Sequence, residues 1–105
     1  MTSQTTPQVQ VPTIAGVLAG KRGLIMGLAN QRSIAWGIAK AARAAGAELA
    51  FTYQGEALEK RVRPLAQELG GHVVGQCDVT DEASLDAVFA EVGKLWGKLD
   101  FVVHC

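Results

Sequence analysis

The chain has 105 residues, 49% of them hydrophobic and 19% charged, with ten Lys and Arg against ten Asp and Glu. That length sets one compact domain as the ceiling, and a formal net charge of zero supplies no excess positive charge for nucleic acid or an anionic membrane surface. No apolar run approaches the roughly 20 residues of a membrane span, and the start of the chain has neither a cationic segment nor an apolar signal core, so a cytoplasmic location is expected.

Residues 1–15 are rich in Thr, Gln and Pro and offer nothing to bury, which predicts a disordered N-terminal extension ahead of a folded part over 16–105. The first strand is expected over 23–27. A polar loop comes next, and a helix runs from Ser33 to about Ala45 with Ile34, Ile38, Ala42 and Ala45 as its inward stripe and Lys40 and Arg43 outward. The second strand is Glu48 to Gln54, a buried type of run carrying Leu49, Ala50, Phe51 and Tyr53. A second helix from about Glu56 to Leu69 turns Leu58, Val62, Leu65 and Leu69 inward, and Pro64 predicts a kink or a break into two short pieces. The third strand is His72 to Cys77. Thr80 or Asp81 caps a third helix whose Leu85, Val88, Phe89, Val92 and Trp96 are expected to face the sheet, and a fourth strand begins near Leu99.

A β-α-β-α-β-α-β order with helices of these lengths implies parallel strands and right-handed crossovers. The fold class expected is α/β, a Rossmann-like doubly wound parallel sheet with strand order 3-2-1-4, first half only. A chain ending on an apolar strand with nothing to cover it is expected to be a fragment of a larger domain. Cys77 and Cys105 end the outer two strands, about 14 Å apart at the usual spacing, so they are expected to stay unpaired, as in a reducing compartment.

The chemistry begins at Gly27. A buried strand that stops at a glycine, crosses a polar loop and restarts as a helix leaves unpaired backbone N–H groups at a helix N-terminus, where a diphosphate can sit. A plain strand-to-helix turn is the bland alternative. A Walker A loop is excluded, because Gln31-Arg32-Ser33 stands where that motif needs Gly-Lys-Ser/Thr. Gly37 is expected to let the helix approach the sheet. Ser33 can cap the helix or bond a diphosphate oxygen, and without ligand the cap is expected; Arg32 is expected to be solvated. Gln54 ends the second strand where an Asp or Glu usually bonds the adenosine ribose, and its neutral amide does not by itself choose between NAD and NADP. Asp78 can accept from the adenine amino group with Val79 packing beside it, or can simply open the turn into the third helix.

Gly20-Lys21-Arg22, the loop from Gly27 through Ser33-Ile34-Ala35-Trp36-Gly37, Gly46 to Gln54, Gln76-Cys77-Asp78-Val79 and Phe101-Val102-Val103-His104 together resemble the enoyl-acyl-carrier-protein reductase of bacterial type II fatty acid synthesis. That family is a divergent branch of the short-chain dehydrogenases/reductases, and the long G-x5-S-x-A-x-G loop is its mark. The resemblance implies NADH-dependent reduction of an enoyl thioester on acyl carrier protein by a homotetramer. It assigns Gly27, Ser33 and Ile34 to the diphosphate, Gln54 to the adenosine ribose with NADH preferred, and Asp78 and Val79 to the adenine. The family's catalytic tyrosine and lysine lie beyond the fourth strand, so no catalytic residue is expected in this chain, and Tyr53 is not the acid. Three readings stand open: part of such a reductase, an inactive nucleotide-binding fragment, or another short-chain dehydrogenase/reductase or nucleotide-binding Rossmann module.

Overall fold

The computed structural model describes residues 16–105; the extension expected over 1–15 lies outside them. Strand and helix alternate as β1 (Arg22–Met26), α1 (Ile34–Ala44), β2 (Glu48–Tyr53), α2 (Glu56–Glu68), β3 (His72–Gln76), α3 (Glu82–Trp96) and β4 (Phe101–His104). Every strand pairing is parallel and the order across the sheet is β3-β2-β1-β4, as the sequence predicts. Among the described residues, no helix is long and apolar enough to cross a membrane.

Strand alternation divides the core. Ile25 of β1 and Leu49 and Phe51 of β2 face α1 and α2, against Ala35, Trp36, Ala39, Val62, Leu65 and Ala66. Leu24, Met26 and Ala50 face the other way, onto Val88 and Val92 of α3. Both faces of β1 and β2 are thus covered, the condition a parallel sheet requires. Leu24, Ile25, Leu49 and Phe51 are fully buried, each contributing about 1.5–3 kcal/mol of apolar burial.

The helix faces depart from the sequence expectation in three places. In α1 the inward stripe is Ala35, Trp36, Ala39 and Ala42, with Ala45 just beyond, whereas Ile34 is 76% exposed and Ile38 37%. Alanines, having only a methyl group, bring the helix axis close to the sheet, and that close approach turns the larger isoleucines out of the interface. Gly37 plays no part in it: the residue is exposed and a Cβ there would meet nothing within 4 Å. In α3 Val88 and Val92 are buried and Leu85 and Trp96 half-buried, but Phe89 is exposed.

The third departure is α2, which continues through Pro64 as one helix rather than two pieces. Pro64 and Lys60 both lie on the exposed face, so the Lys60 carbonyl that loses its intrahelical donor is open to water. Val62, Leu65 and Ala66 hold the helix to the core from the opposite side.

One irregularity bears on the site. Opposite β2, Ala50 pairs with His72 and Phe51 with Val73, but Thr52 pairs with Gly75, so β3 carries one extra residue at a bulge. Gly75 sits there at φ 131°, a conformation open chiefly to glycine. The bulge reverses the alternation of β3: Val74 and Cys77 are an odd number of residues apart, yet both join the core on the α3 side.

Candidate functional site

The carboxyl ends of the four parallel strands meet around a pocket of about 210 Å³ lined by Met26, Gly27 and Leu28 at the end of β1 and beyond it, Thr52 to Gln54 and Leu58 at and beyond the end of β2, Cys77 and Val79 after β3, and His104 and Cys105 at and beyond the end of β4. In an open α/β sheet this is the crevice where ligands bind, because successive turns splay to opposite faces there. Of the residues singled out from sequence, Gly27, Gln54 and Val79 line the pocket. Asp78 adjoins it between Cys77 and Val79. Ser33 and Ile34 stand apart from its lining, at the start of α1.

Gly27 makes the turn out of β1 at φ 95°. A Cβ on it would collide with the carbonyl oxygen of Cys105, so the glycine is required by the backbone conformation and by the neighbouring chain at once. Leu28, only 1% exposed, then plugs into the α1 core and anchors the loop. Asn30 organises the approach to α1. Its side-chain oxygen accepts the Arg32 N–H at 2.7 Å, and its carbonyl accepts both the Ser33 N–H at 3.1 Å and the Ser33 hydroxyl at 2.8 Å.

That last bond corrects the expected cap. Ser33 stands at the N-cap position of α1, but its hydroxyl donates backwards to Asn30 and makes no cap bond. The Ile34 and Ala35 amides at the helix start therefore have no side-chain acceptor among the described residues, and no acidic residue occupies the first turn to offset the positive end of the helix. An anion with several oxygens fits this end. Arg32 is exposed beside it.

Gln54 is exposed just past β2, ahead of Gly55, the N-cap of α2. It presents an uncharged donor and acceptor to the pocket rim, suited to hydroxyls. On the far side of the pocket the Asp78 carboxylate accepts the Thr80 hydroxyl at 2.7 Å and the Thr80 N–H at 3.0 Å. The Thr80 side-chain bond first, and its backbone bond second, lower the Asp78 pKa below the ordinary carboxylate value, so the group is anionic at neutral pH. Of the two caps expected for α3, the structure uses Asp81, which accepts the Ala83 N–H at 3.1 Å.

Both thiols are free, Cys77 buried and Cys105 exposed. Burial pushes the Cys77 thiol up; the nearby Ser84 hydroxyl opposes this and the Asp78 charge adds to it. Tyr53 lines the pocket on the β2 side, and among the described residues no group of His, Cys, Asp and Glu could hold a metal ion. Leu28, Asn30 and Ser84 shape the site without being singled out from sequence, and Thr80, named there only as a possible cap of α3, bonds Asp78 instead. The turn chemistry of Asn30 two residues before Arg32 is a usable signal; Ser84 lies eight residues beyond Gln76, the strand end it serves, and only the folded chain brings it there.

The sequence model of the enoyl-(acyl carrier protein) reductase family matches residues 27–105. The enoyl-(acyl-carrier-protein) reductase (NADH) 1 of Rhizobium meliloti (strain 1021) is 66% identical over 90 residues, which cover 86% of this chain and 33% of that protein. The crystal structure of the reductase from Anaplasma phagocytophilum in complex with NAD superposes with a TM-score of 0.81 at 52% identity, over 86% of this chain and 34% of that one. The Bacillus cereus enoyl-acyl carrier protein reductase, solved with NADP+ and an indole naphthyridinone, gives 0.79 at 48% identity, over 84% of this chain and 35% of that one. The chain spans about a third of the length of each of these relatives.

Proposed function

The chain belongs to the enoyl-(acyl carrier protein) reductase family, and from that premise we propose that it supplies the adenosine-diphosphate half of the cofactor site in an NADH-dependent enoyl-acyl-carrier-protein reductase. The observation that carries the reading is the convergence of Gly27, Gln54 and Val79 on one pocket at the strand ends, with the uncapped start of α1 beside it. The residues present suit a dinucleotide. The turn at Gly27 and the start of α1, at Ser33 and the Ile34 amide, hold the diphosphate; the Gln54 amide exchanges hydrogen bonds with the adenosine ribose hydroxyls; Asp78 accepts from the adenine amino group and Val79 packs on the ring.

NADH, when bound, supplies the hydride that reduces the enoyl double bond. The residues of this chain do no bond-making themselves: they bind and orient, and a cofactor held at its adenosine end delivers its nicotinamide to one place. The proton donor and its lysine partner belong to the part of the family's sequence beyond β4. Acyl carrier protein as the substrate carrier, a homotetramer, membership of the short-chain dehydrogenase/reductase superfamily and a cytoplasmic location complete the proposal, all of them carried by the family resemblance.

Gln54 supports NADH over NADPH, since it offers no charge to a 2′-phosphate. The Bacillus cereus relative solved with NADP+ gives the alternative its weight, with Lys60 and Arg61, both exposed on α2, as the cations nearest in sequence. The test is steady-state kinetics of the whole protein with a crotonyl thioester and each cofactor. Preference for NADH is the expected result; equal or better use of NADPH would mean that α2 reaches the phosphate, and turnover with neither would reject the activity.

A further inference from the structure

A serine hydroxyl has one proton and two lone pairs, so it can serve a donor and an acceptor at once. Ser84 does this for a single turn of chain. From the first turn of α3 its Oγ accepts the Asp78 N–H at 2.9 Å and donates to the Gln76 carbonyl at 3.2 Å. These partners flank buried Cys77, so one hydroxyl fastens the path from the end of β3 into the turn on both sides of that residue. Thr80 then fixes the side chain. Both of its bonds fall on Asp78 Oδ1, and Oδ2 has no partner among the described residues.

We propose that Ser84 is a positioning residue for the adenine end of the site: it touches no ligand, but holds the backbone of Gln76 to Asp78 so that the Asp78 carboxylate and Val79 meet the base together. The role rests on the dinucleotide reading of the pocket. Without the hydroxyl, the Asp78 N–H and the Gln76 carbonyl lose their common partner and the turn gains freedom that adenine binding must remove. The diphosphate cradle is built from β1, its loop and α1, on the other side of the pocket, and it does not depend on Ser84.

The experiment titrates the whole protein with NADH and with reduced nicotinamide mononucleotide, which lacks the adenosine monophosphate half, in the parent, Ser84→Ala and Ser84→Thr. Ser84→Ala is expected to weaken NADH about 5- to 30-fold, with Ser84→Thr returning to within about twofold of the parent and the mononucleotide affinity unchanged in both. In turnover the change should appear in KM for NADH and leave kcat alone. Parental NADH affinity in Ser84→Ala overturns the proposal, as does an equal loss for both ligands. Where Ser84→Ala does not fold, Ser84→Cys, of similar shape and with a weaker hydrogen-bonding group, is judged by the same outcomes. A parent that binds NADH no more tightly than the mononucleotide refutes the dinucleotide reading itself, and the positioning role falls with it.

Discussion

Gly27 carries two demands at one position. Read from sequence, a side chain there would fill only the space of the diphosphate, so Gly27→Val should cost cofactor and little stability; the left-handed backbone and the Cys105 carbonyl against it show that the fold suffers as well. Gly27→Val should therefore lose NADH binding and also lower the unfolding free energy by about 1–3 kcal/mol. Calorimetric titration and thermal melting of the whole protein read the two effects separately, and an unchanged melting temperature would contradict the second. Asp100 gives a pH prediction. Its carboxylate accepts the Arg22 N–H at 2.8 Å while its own N–H bonds the Arg22 carbonyl, clamping the start of β4 to β1. That bond is the largest cause and lowers its pKa; burial, next in size, opposes it, and the charges of Lys98 and Lys21 add to the lowering. The folded chain thus keeps Asp100 ionised where the unfolded chain has begun to take up a proton. Stability from this group is complete above the ordinary carboxylate pKa and drains away as pH falls through the lowered one. Asp100→Asn keeps an acceptor for Arg22 and should make the fall in melting temperature below about pH 4 shallower; an acid limb as steep as the parent's would remove Asp100 from it.

At the scale of elements, the strands and their order are legible in the sequence because β1, β2 and β3 are short apolar runs between glycines and polar turns, and parallel pairing is a consequence of the helices between them. Helix faces are less legible. Size alone marks Ile34 and Ile38 as core, but α1 packs through Ala35, Ala39 and Ala42, where close approach outweighs side-chain area. The site residues divide in the same way: Gly27, Gln54 and Val79 lie at strand ends, where motif spacing is informative, while Asn30, Thr80 and Ser84 act through hydrogen bonds that spacing alone does not record. For α2, continuity through Pro64 on the exposed face means that the proline costs a hydrogen bond without breaking the element. Pro64→Ala should restore that bond and stabilise the protein by about 1–3 kcal/mol. Denaturant unfolding measures it, and a loss of stability would show that the proline ring makes a contact worth more than the bond.

For the molecule as a whole, coverage is uneven. β1 and β2 are covered on both sides, but β4 forms a sheet edge with Val102 47% exposed and Phe101 half-buried, and Val17, Leu18, Ile38, Ala41, Ala42, Ala45 and Phe101 line an apolar hollow beside α1. An apolar strand edge next to an apolar hollow invites pairing with another chain. The 105-residue polypeptide, purified alone, should therefore self-associate, bind NADH weakly and show no reductase turnover; light scattering that finds a stable monomer, or NADH oxidation with a crotonyl thioester above the buffer rate, would contradict this. The bulge in β3 has a different kind of consequence. Because the strand holds one residue more than its partner needs, the pocket depends on where that excess is absorbed as well as on side-chain identity. Were the strand to run straight with Val74 opposite Thr52, Cys77 would turn to the opposite face and Asp78 would move forward by one residue, about 3.3 Å; removing Val74 would instead take out the bulge and leave Gly75 opposite Thr52 and Gln76 opposite Tyr53. The strand can therefore lose its extra residue and keep its aim, but it cannot keep that residue without the bulge: the turn that leads into α3 points where it does because the chain at Gly75 takes up the excess.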